Sequence, residues 1–514
     1  MSFSLEYLPR MLSMMVEGFG EKITLKEVST LEKEGALFVE DGNHGEYRPL
    51  ADEFVGDGVP FVRPPNLVNG RIDLEQCQKI NDVAFKRVRK GVGKGGDIVL
   101  THNATVGRVA ITKDTDPVFV TNPQTTVWRS ENRNIIDPQY LYYFMKSSGF
   151  QEQLESHKGR NATFDYVSLT KQRSLVIPIL DIGLQRFIGG RLACFDNKIE
   201  LNRQTNQTLE HIAQALFKCW FVDFEPTRAK IIAKEKGVNT AIQELAAQAI
   251  ICGAITLEQL EAITQNLETT LQQAINEKLS QANQTPINTE QLKTTAALFP
   301  NALVDSELGE IPEGWEVKEL GELLEFNPKR ILKKGTMAPY LDMKNVPTQG
   351  HLANDVYLRE MASGTKFING DTLLARITPC LENGKTAYVD FLEDDQVAWG
   401  STEYIVMRPK NGRPMSLGYI IARLDSFRSK AIQTMTGTSG RQRANAKALS
   451  EQLWLDYPKK LLNIYDSFAG AYLQKAKENG FENKTLEELR DALLPKLLSG
   501  ELTPNTAASI ENIK

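Results

Sequence analysis

The chain has 514 residues, which exceeds a single ordinary hydrophobic core and predicts more than one domain. Its 41% hydrophobic and 24% charged residues are typical of a soluble globular protein, and no apolar run approaches the roughly 20 residues that span a bilayer. The formal net charge of -5 disfavours a protein that binds nucleic acid over its whole surface.

The cysteines and histidines indicate neither a disulfide framework nor a metal site. The five cysteines lie far apart without a C-x-x-C pair, and the five histidines lack a nearby Cys, His or carboxylate at ligand spacing. This pattern predicts a cytoplasmic protein with no metal site, and the lack of a long apolar run predicts no membrane segment.

Residues 1–183 are predicted to form a first α+β domain. Its short apolar and β-branched runs are separated by Gly, Asn and Asp, as strands are by turns: Asp97–Leu100, Arg108–Thr112, Val118–Thr121 and Thr125–Trp128. Ile135–Ser147 has the pattern of a helix. This content corresponds to an ordinary domain.

Residues 184–224 are predicted to form a long helix with a heptad seam. Its members alternate spacings of four and three: Ile188, Leu192, Phe195, Ile199, Asn202, Asn206, Leu209, Ala213, Leu216 and Trp220. The two asparagines occupy positions where apolar residues would stabilise a supercoil more, so we expect Asn202 and Asn206 to fix register or partner. Residues 225–300, rich in Ala, Gln and Glu, are predicted to be a helical insertion or linker.

Residues 301–459 are predicted to be a second domain, because the sequence repeats at a period of roughly 280 residues. Gly96–His102 corresponds to Gly370–Arg376, and Pro60–Arg63 corresponds to Pro339–Asp342. Each half then contains a glycine-centred basic loop. The repeat indicates duplication of a whole domain together with a helix.

Residues 460–502 supply a second helical seam, followed by a tail at 503–514. Gly480 and the Thr485-x-x-Glu488 capping box predict a break and restart within this helix. The expected fold class is α+β, with two similar domains separated by long antiparallel coiled-coil-like helices and an internal pseudo-two-fold repeat.

Catalytic motifs are missing from the sequence. Gly91–Gly96 lacks the Ser or Thr and the glycine spacing of a phosphate loop, and Arg63–Asn66 is a poor substitute for the Asn-Pro-Pro-Tyr segment of an amino-methyltransferase. We therefore expect no catalytic residue in this chain.

Several segments resemble the specificity subunits of type I restriction–modification systems. They are Leu308–Trp315 (LGEIPEGW), Gly437–Arg443 (GTSGRQR), Leu493–Leu502 (LLPKLLSGEL) and the Phe187–Phe224 helix. The resemblance covers almost the whole chain and is weakest over 225–300. The first half departs from the pattern, because it lacks the Ile-Pro-Glu-Gly-Trp run and its loop lacks a second arginine.

The resemblance implies two target-recognition domains that each read one half of a split, asymmetric DNA sequence. It implies double-stranded DNA, two modification subunits and motor-nuclease restriction subunits as partners. S-adenosylmethionine, ATP and Mg2+ would be bound by those subunits and none by this chain.

Side chains that can present hydrogen-bonding groups to base edges are the candidates for sequence reading. They are Arg63, His102, Asn103, Arg160 and Asn161 in the first domain, and Lys344, Arg376, Arg441, Gln442 and Arg443 in the second. Basic residues expected at phosphates are Lys86, Arg87, Arg89, Lys90, Lys94 and Lys447.

Two alternative functions remain open at this point. One is a stand-alone DNA-modifying enzyme with an unrecognised active site, and the other is a coiled-coil scaffold that binds only proteins. The duplicated basic loops disfavour the scaffold.

Overall fold

The computed structural model describes residues 9–160, 165–280, 288–438 and 440–504. The chain divides into two compact units that both mix helices with small β-sheets. The first unit contains the described parts of Met1–Glu200 and Asn483–Lys514, and the second contains those of Leu201–Glu482. Two separate segments of sequence therefore complete the first unit.

The first unit begins with short helices and strands. Its helices before residue 182 are α1 (Arg10–Phe19), α2 (Val28–Lys33), α3 (Asp82–Arg87), α4 (Pro138–Lys146), α5 (Ser148–Ser156) and α6 (Leu169–Arg173). Its strands are β1 (Ile23–Glu27), β2 (Leu37–Asp41), β3 (Phe54–Val55), β4 (Val59–Val62), β5 (Leu67–Val68), β6 (Arg71–Ile72), β7 (Gln78–Ile80), β8 (Val92–Gly93), β9 (Ile98–Thr101), β10 (Val109–Ile111), β11 (Phe119–Thr121), β12 (Thr125–Ser130), β13 (Gly159–Arg160), β14 (Asp165–Tyr166) and β15 (Val176–Leu180).

Two sheets organise this unit. An antiparallel sheet has the order β10–β9–β12–β2, and a mixed sheet has the order β3–β7–β4–β11–β8, in which β11 runs parallel to β4. Strands β9 and β10 are buried on both faces, which explains their continuous apolar sequence. The core joins Leu12, Trp128 and Phe150 to Leu498 near the other end of the chain.

The second unit repeats the same kinds of element after a group of helices. Its strands are β16 (Leu303–Ser306), β17 (Gly309–Pro312), β18 (Glu316–Glu319), β19 (Leu324–Phe326), β20 (Met337–Leu341), β21 (Tyr357–Glu360), β22 (Thr365–Phe367), β23 (Thr372–Ala375), β24 (Thr386–Tyr388), β25 (Ala398–Gly400), β26 (Tyr404–Pro409) and β27 (Leu453–Asp456). Among them lie α13 (Leu320–Leu323), α14 (Ser416–Arg423), α15 (Asp425–Gln433) and α16 (Ala446–Ser450).

The strand order in the second unit parallels that in the first. One sheet has the order β19–β26–β23–β24, and the other has the order β21–β20–β25–β22 with β25 parallel to β20. A separate pair joins β18 to β27, as β1 joins β15 in the first unit. These sheets are therefore connected in the same way in both units, apart from the additional edge strand β3, while the pairs β5–β6 and β13–β14 occur in the first unit and β16–β17 in the second.

Residues 225–300 form helices whose described parts pack in the core of the second unit. They are α8 (Glu225–Glu235), α9 (Thr240–Ile251), α10 (Leu257–Ala262), α11 (Leu267–Ser280) and α12 (Thr289–Ala296). Lys230 is buried and donates to Phe299 O over 2.7 Å, and the Trp220 and Phe299 rings lie 5.7 Å apart. The segment thus shares its core with residues 301–482.

Two 40-residue helices, α7 (Ile182–Phe221) and α17 (Lys459–Leu498), contribute residues to both units. The predicted break at Gly480 is wrong, because α17 is continuous through it. A Cβ at Gly480 would lie 2.6 Å from Leu352 Cδ1, so this glycine makes room for a packed side chain. Neither helix, nor any other described, has the length and apolar character required to cross a membrane.

Candidate nucleic-acid interface

The glycine-centred loop of the second unit lies beside the turn that follows β23. The Thr378 N donates to Gln442 O over 3.0 Å, and the Gln442 N donates to Thr378 Oγ1 over 3.1 Å. Gly440 has φ +76°, a left-handed conformation that glycine adopts without strain. These contacts attach the loop to the sheet while leaving Arg441 exposed and Gln442 partly exposed.

The glycine-centred loop Gly437–Arg443 and the turn after β23 form what we call the loop cluster. Within it, the side chain of Arg443 is held by a carboxylate. Its Nε lies 2.9 Å from Glu403 Oε2, and its Nη2 lies 2.8 Å from Glu403 Oε1. This two-point contact lowers the pKa of Glu403 below its ordinary value. Sequence reasoning missed Glu403, whose only signal was its place just before β26. The guanidinium of Arg443 thus already bonds to Glu403, so Arg441 and Gln442 are better placed to contact an external ligand.

The other base-reading candidates of the second unit are Arg376 and Lys344, which follow strands whose ends lie near Glu403. Arg376 follows β23, its N donates to Glu403 O over 2.9 Å, and its O accepts from Ala444 N over 2.8 Å. Lys344 follows β20 with 78% of its side chain exposed, 3.5 Å from Asp342. Because β20 and β25 are parallel, the segments that follow them emerge at one edge of the sheet.

In the first unit, the base-reading candidates also lie where segments that follow neighbouring strands contact each other. Asn103, after β9, forms a β-bridge with Tyr166, which lies just beyond the glycine-centred loop. The His102 N donates to Gln124 O over 3.0 Å, and the Asn122 N donates to Val62 O over 3.0 Å, next to Arg63. The side chain of Arg160 and the whole of Asn161 lie outside the described residues.

His102 is a poor donor to an external ligand in this conformation. Its side chain is only 12% exposed, Nδ1 lies 3.2 Å from Val167 O, and the buried Nε2 lies 3.8 Å from Asp41 Oδ1. Burial lowers the pKa of His102. The prediction that His102 reads bases therefore does not fit its position, because Nδ1 contacts a backbone carbonyl and Nε2 is buried.

Arg63 lies over aromatic rings at the end of β4. Its guanidinium carbon is 5.7 Å from the Phe54 ring centroid and 5.9 Å from that of Phe61. Such cation–π contacts orient the side chain and leave its nitrogens able to donate elsewhere.

The basic run of the first unit divides into one paired and several exposed residues. Arg87 Nη1 lies 2.8 Å from Glu53 Oε1 and its Nη2 also bonds the carboxylate, so its predicted phosphate role does not fit the structure. The pair of Arg87 and Glu53 has no local signal in the sequence, because the two residues are 34 positions apart. The residues that remain exposed are Lys86, Arg89, Lys90 and Lys94, with Lys447 in the second unit.

The two seam asparagines bond across from α7 to α17 within the second unit. Asn202 Nδ2 donates to Glu482 Oε2 over 2.8 Å, and Asn206 Nδ2 donates to Ala476 O over 3.1 Å. Asn479 Nδ2 donates to Asn206 Oδ1 over 2.7 Å. Both asparagines therefore contact α17, and Asn479 is a partner that the sequence did not identify.

No group of three or more His, Cys, Asp or Glu residues able to hold a metal ion occurs in residues 9–160, 165–280, 288–438 and 440–504. The site consists instead of cationic and amide side chains on loops that a sheet edge supports. Such groups donate to base edges and to phosphate oxygens.

The sequence is similar to that of known specificity subunits over most of its length. Residues 20–211 match the family model described as the type I restriction modification DNA specificity domain. The specificity subunit of the type I restriction enzyme HindI of Haemophilus influenzae is 26% identical over 455 residues, covering 86% of this chain and 94% of the relative. The MjaIX specificity subunit of Methanocaldococcus jannaschii is 24% identical over 466 residues, covering 88% of each.

One solved structure also aligns with most of the chain. The crystal structure of the type I restriction–modification S subunit from M. genitalium aligns with 92% of this chain and 96% of its own, at 14% identity and a TM-score of 0.45.

Proposed function

Because the chain belongs to the family of type I restriction enzyme specificity subunits, we propose that it recognises the DNA sequence on which such an enzyme acts. One observation carries the proposal: in both units, a turn after a buried central strand pairs with the glycine-centred loop or the strand just beyond it. Each unit then reads one half of a split, asymmetric target.

The chemistry of recognition divides between exposed loops and basic surfaces. Arg441 and Gln442 present the donor groups that distinguish guanine and adenine in the major groove. Lys86, Arg89, Lys90, Lys94 and Lys447 bind phosphates, which adds affinity without sequence information. A loop supported by a sheet edge can change its side chains without altering the fold, so related chains read different targets.

The long helices set the distance between the two half-sites. The side-chain amides of Asn206 and Asn479 oppose sliding of α7 against α17, because a shift in register would leave the buried amide of Asn479 unpaired. Shortening both helices by one heptad should therefore change the unread spacer or abolish activity, with the half-site sequences retained.

Partner subunits perform the chemistry in this proposal. Two modification subunits bind S-adenosylmethionine and methylate adenine, and restriction subunits use ATP and Mg2+ to move on and cleave DNA. The chain itself has no catalytic role and works in the cytoplasm with these partners.

The test is to co-express the chain with its modification subunits and to map methylated adenines in host DNA by single-molecule sequencing. A split motif that disappears when the chain is deleted, and that changes in one half when residues 1–183 are exchanged, supports the proposal. Methylation that persists without the chain overturns it and favours the scaffold alternative. Methyl transfer by the purified chain alone would instead favour a stand-alone enzyme.

A matched pair of variants refines the same experiment. Arg441→Ala with Gln442→Ala should alter only the half of the motif that the second unit reads. Lys293 is an exposed residue of α12, so Lys293→Gln removes a charge in the same unit outside the loop cluster and should leave the motif intact.

A further inference from the structure

A polar pocket of about 280 Å³ opens in the second unit next to the loop cluster. The side chains that give it its polar character come from three parts of the unit: Asn327 and Arg330 after β19, Thr365 and Lys366 on β22, and Arg376 and Thr402 next to the sheet edge.

The pocket has an excess of positive charge. Arg330, Lys366 and Arg376 line it, and its lining residues include no Asp or Glu. Asp371 is fully buried and lies 2.7 Å from Arg408 and 3.3 Å from Arg330, while Glu403 pairs with Arg443. The cations therefore exceed the free acids available to neutralise them.

Two arginines in this pocket hold buried donors that are not satisfied. The Nε atoms of Arg330 and Arg376 are buried and find no hydrogen-bond acceptor among the described residues. A buried donor without an acceptor is costly, so each such group calls for a partner. The guanidinium groups of Arg330 and Arg376 therefore retain unused hydrogen-bonding capacity next to the pocket.

We propose that this pocket binds a phosphate group. Guanidinium groups match the geometry of phosphate oxygens, an ammonium adds charge, and the hydroxyls of Thr365 and Thr402 supply further donors. The pocket lies next to the loop cluster, so a phosphate of the DNA backbone is the expected ligand. This identification of the ligand rests on the proposed function. Arg376 then contacts backbone rather than a base.

The surroundings support an anionic ligand. The segment 329–334 carries Lys329, Lys333 and Lys334, all exposed, so positive charge extends from the rim of the pocket onto the surface. In the first unit the position after β9 that corresponds to Arg376 is His102, which is buried beside Asp41 and so does not supply a cation in the same way.

The first arm of the test measures DNA binding by the complex of the chain with its modification subunits. Lys366→Gln and Arg376→Gln are compared with Lys293→Gln on a target duplex and a scrambled duplex over a range of salt concentrations. A phosphate contact predicts that the slope of log K against log salt falls by about 0.9 in magnitude. Affinity should fall by the same factor for both duplexes, since phosphate contacts carry no sequence information. If Arg376→Gln weakens target binding alone, Arg376 contacts a base and the phosphate assignment for it is overturned.

The second arm measures Tm of the full chain against inorganic phosphate at constant ionic strength. A ligand that binds the folded state raises Tm, and this rise should be lost in Lys366→Gln and kept in Lys293→Gln. A phosphate-dependent rise with unchanged DNA slopes identifies free phosphate as the source. If neither measurement separates Lys366→Gln from Lys293→Gln, the proposal is wrong. A wild-type complex that does not distinguish target from scrambled DNA contradicts the proposed function, while the phosphate arm still reports on the pocket.

Discussion

Asn479 donates its side-chain amide to Oδ1 of Asn206 over 2.7 Å, although the two residues are 273 positions apart in the chain. Asn479 is 3% exposed, so water cannot replace its partner. Asn206→Leu alone should lower the free energy of unfolding by about 1–3 kcal/mol, because it leaves a buried amide unpaired. Chemical denaturation of the purified chain measures this loss.

The double variant Asn206→Leu with Asn479→Leu is the control for that pair. It should recover much of the stability lost by either single change, because both polar groups are replaced by apolar ones. Losses that simply add in the double variant would show that the two amides are not coupled.

The adjacent glycines of α7 offer a second comparison. A Cβ at Gly189 would lie 2.7 Å from the backbone N of Tyr140, whereas a Cβ at Gly190 meets nothing within 4 Å. Gly189→Ala should destabilise the chain by about 1–3 kcal/mol through overpacking. Gly190→Ala should stabilise it by roughly 0.5–1 kcal/mol through helix propensity. Thermal unfolding distinguishes them, and equal effects would contradict the packing of α4 against α7.

The pair of Arg443 and Glu403 should give stability a dependence on acid pH. The pKa of Glu403 in the folded chain lies below its ordinary value of 4.5, chiefly because Arg443 bonds to the carboxylate. The stabilisation is therefore complete above pH 4.5 and is lost as the pH falls through the lower, folded-state pKa. Urea unfolding of Glu403→Gln and wild type should differ at pH 7 and converge in acid. A constant difference across this range would exclude the ion pair as the cause.

Arg87 and Lys90 occupy one basic run but should respond differently to loss of charge. Arg87→Gln leaves the buried carboxylate of Glu53 without its partner and should lower Tm, whereas exposed Lys90→Gln should leave Tm unchanged. Lys90→Gln should instead reduce the salt dependence of DNA binding. The reverse pattern, with Arg87→Gln changing only DNA binding, would restore Arg87 as a phosphate contact.

Local patterns predicted the elements of the sheets well. The apolar runs at Asp97–Leu100 and Thr125–Trp128 correspond to β9 and β12, because buried central strands require continuous apolar and β-branched residues. The pairing of these strands with partners far along the chain, such as β12 with β2, has no local signal.

The failed helix break shows the limit of local rules. Gly480 and a capping box are ordinary signals of a helix end, yet α17 passes through them. Packing of Leu352 against Gly480 gives the residue a different reason to be glycine. Tertiary contact thus overrides a propensity that is worth only about 1 kcal/mol.

For the candidate site, the sequence identified suitable residue types but did not show which of them already bond to other residues of the chain. The sequence predicted a DNA contact for Arg441, His102 and Arg87, because each side chain can hydrogen-bond to a base or a phosphate. Only the fold shows that Arg441 is exposed, that His102 is enclosed beside Asp41, and that Arg87 is bound by Glu53. Partners distant in sequence determine which cation remains free.

The two-segment construction of the first unit determines when it can fold during synthesis. Leu498 and Leu12 share one core, and a Cβ at Gly18 would lie 1.8 Å from Ser499 O, so the early and late segments close on each other. The 282 residues of Leu201–Glu482 come between them, and a ribosome adding ~5–20 residues per second needs about 14–56 s to make these. The second unit can therefore mature first, and a nascent chain that stalls before α17 is finished exposes an open apolar core to chaperones and proteases.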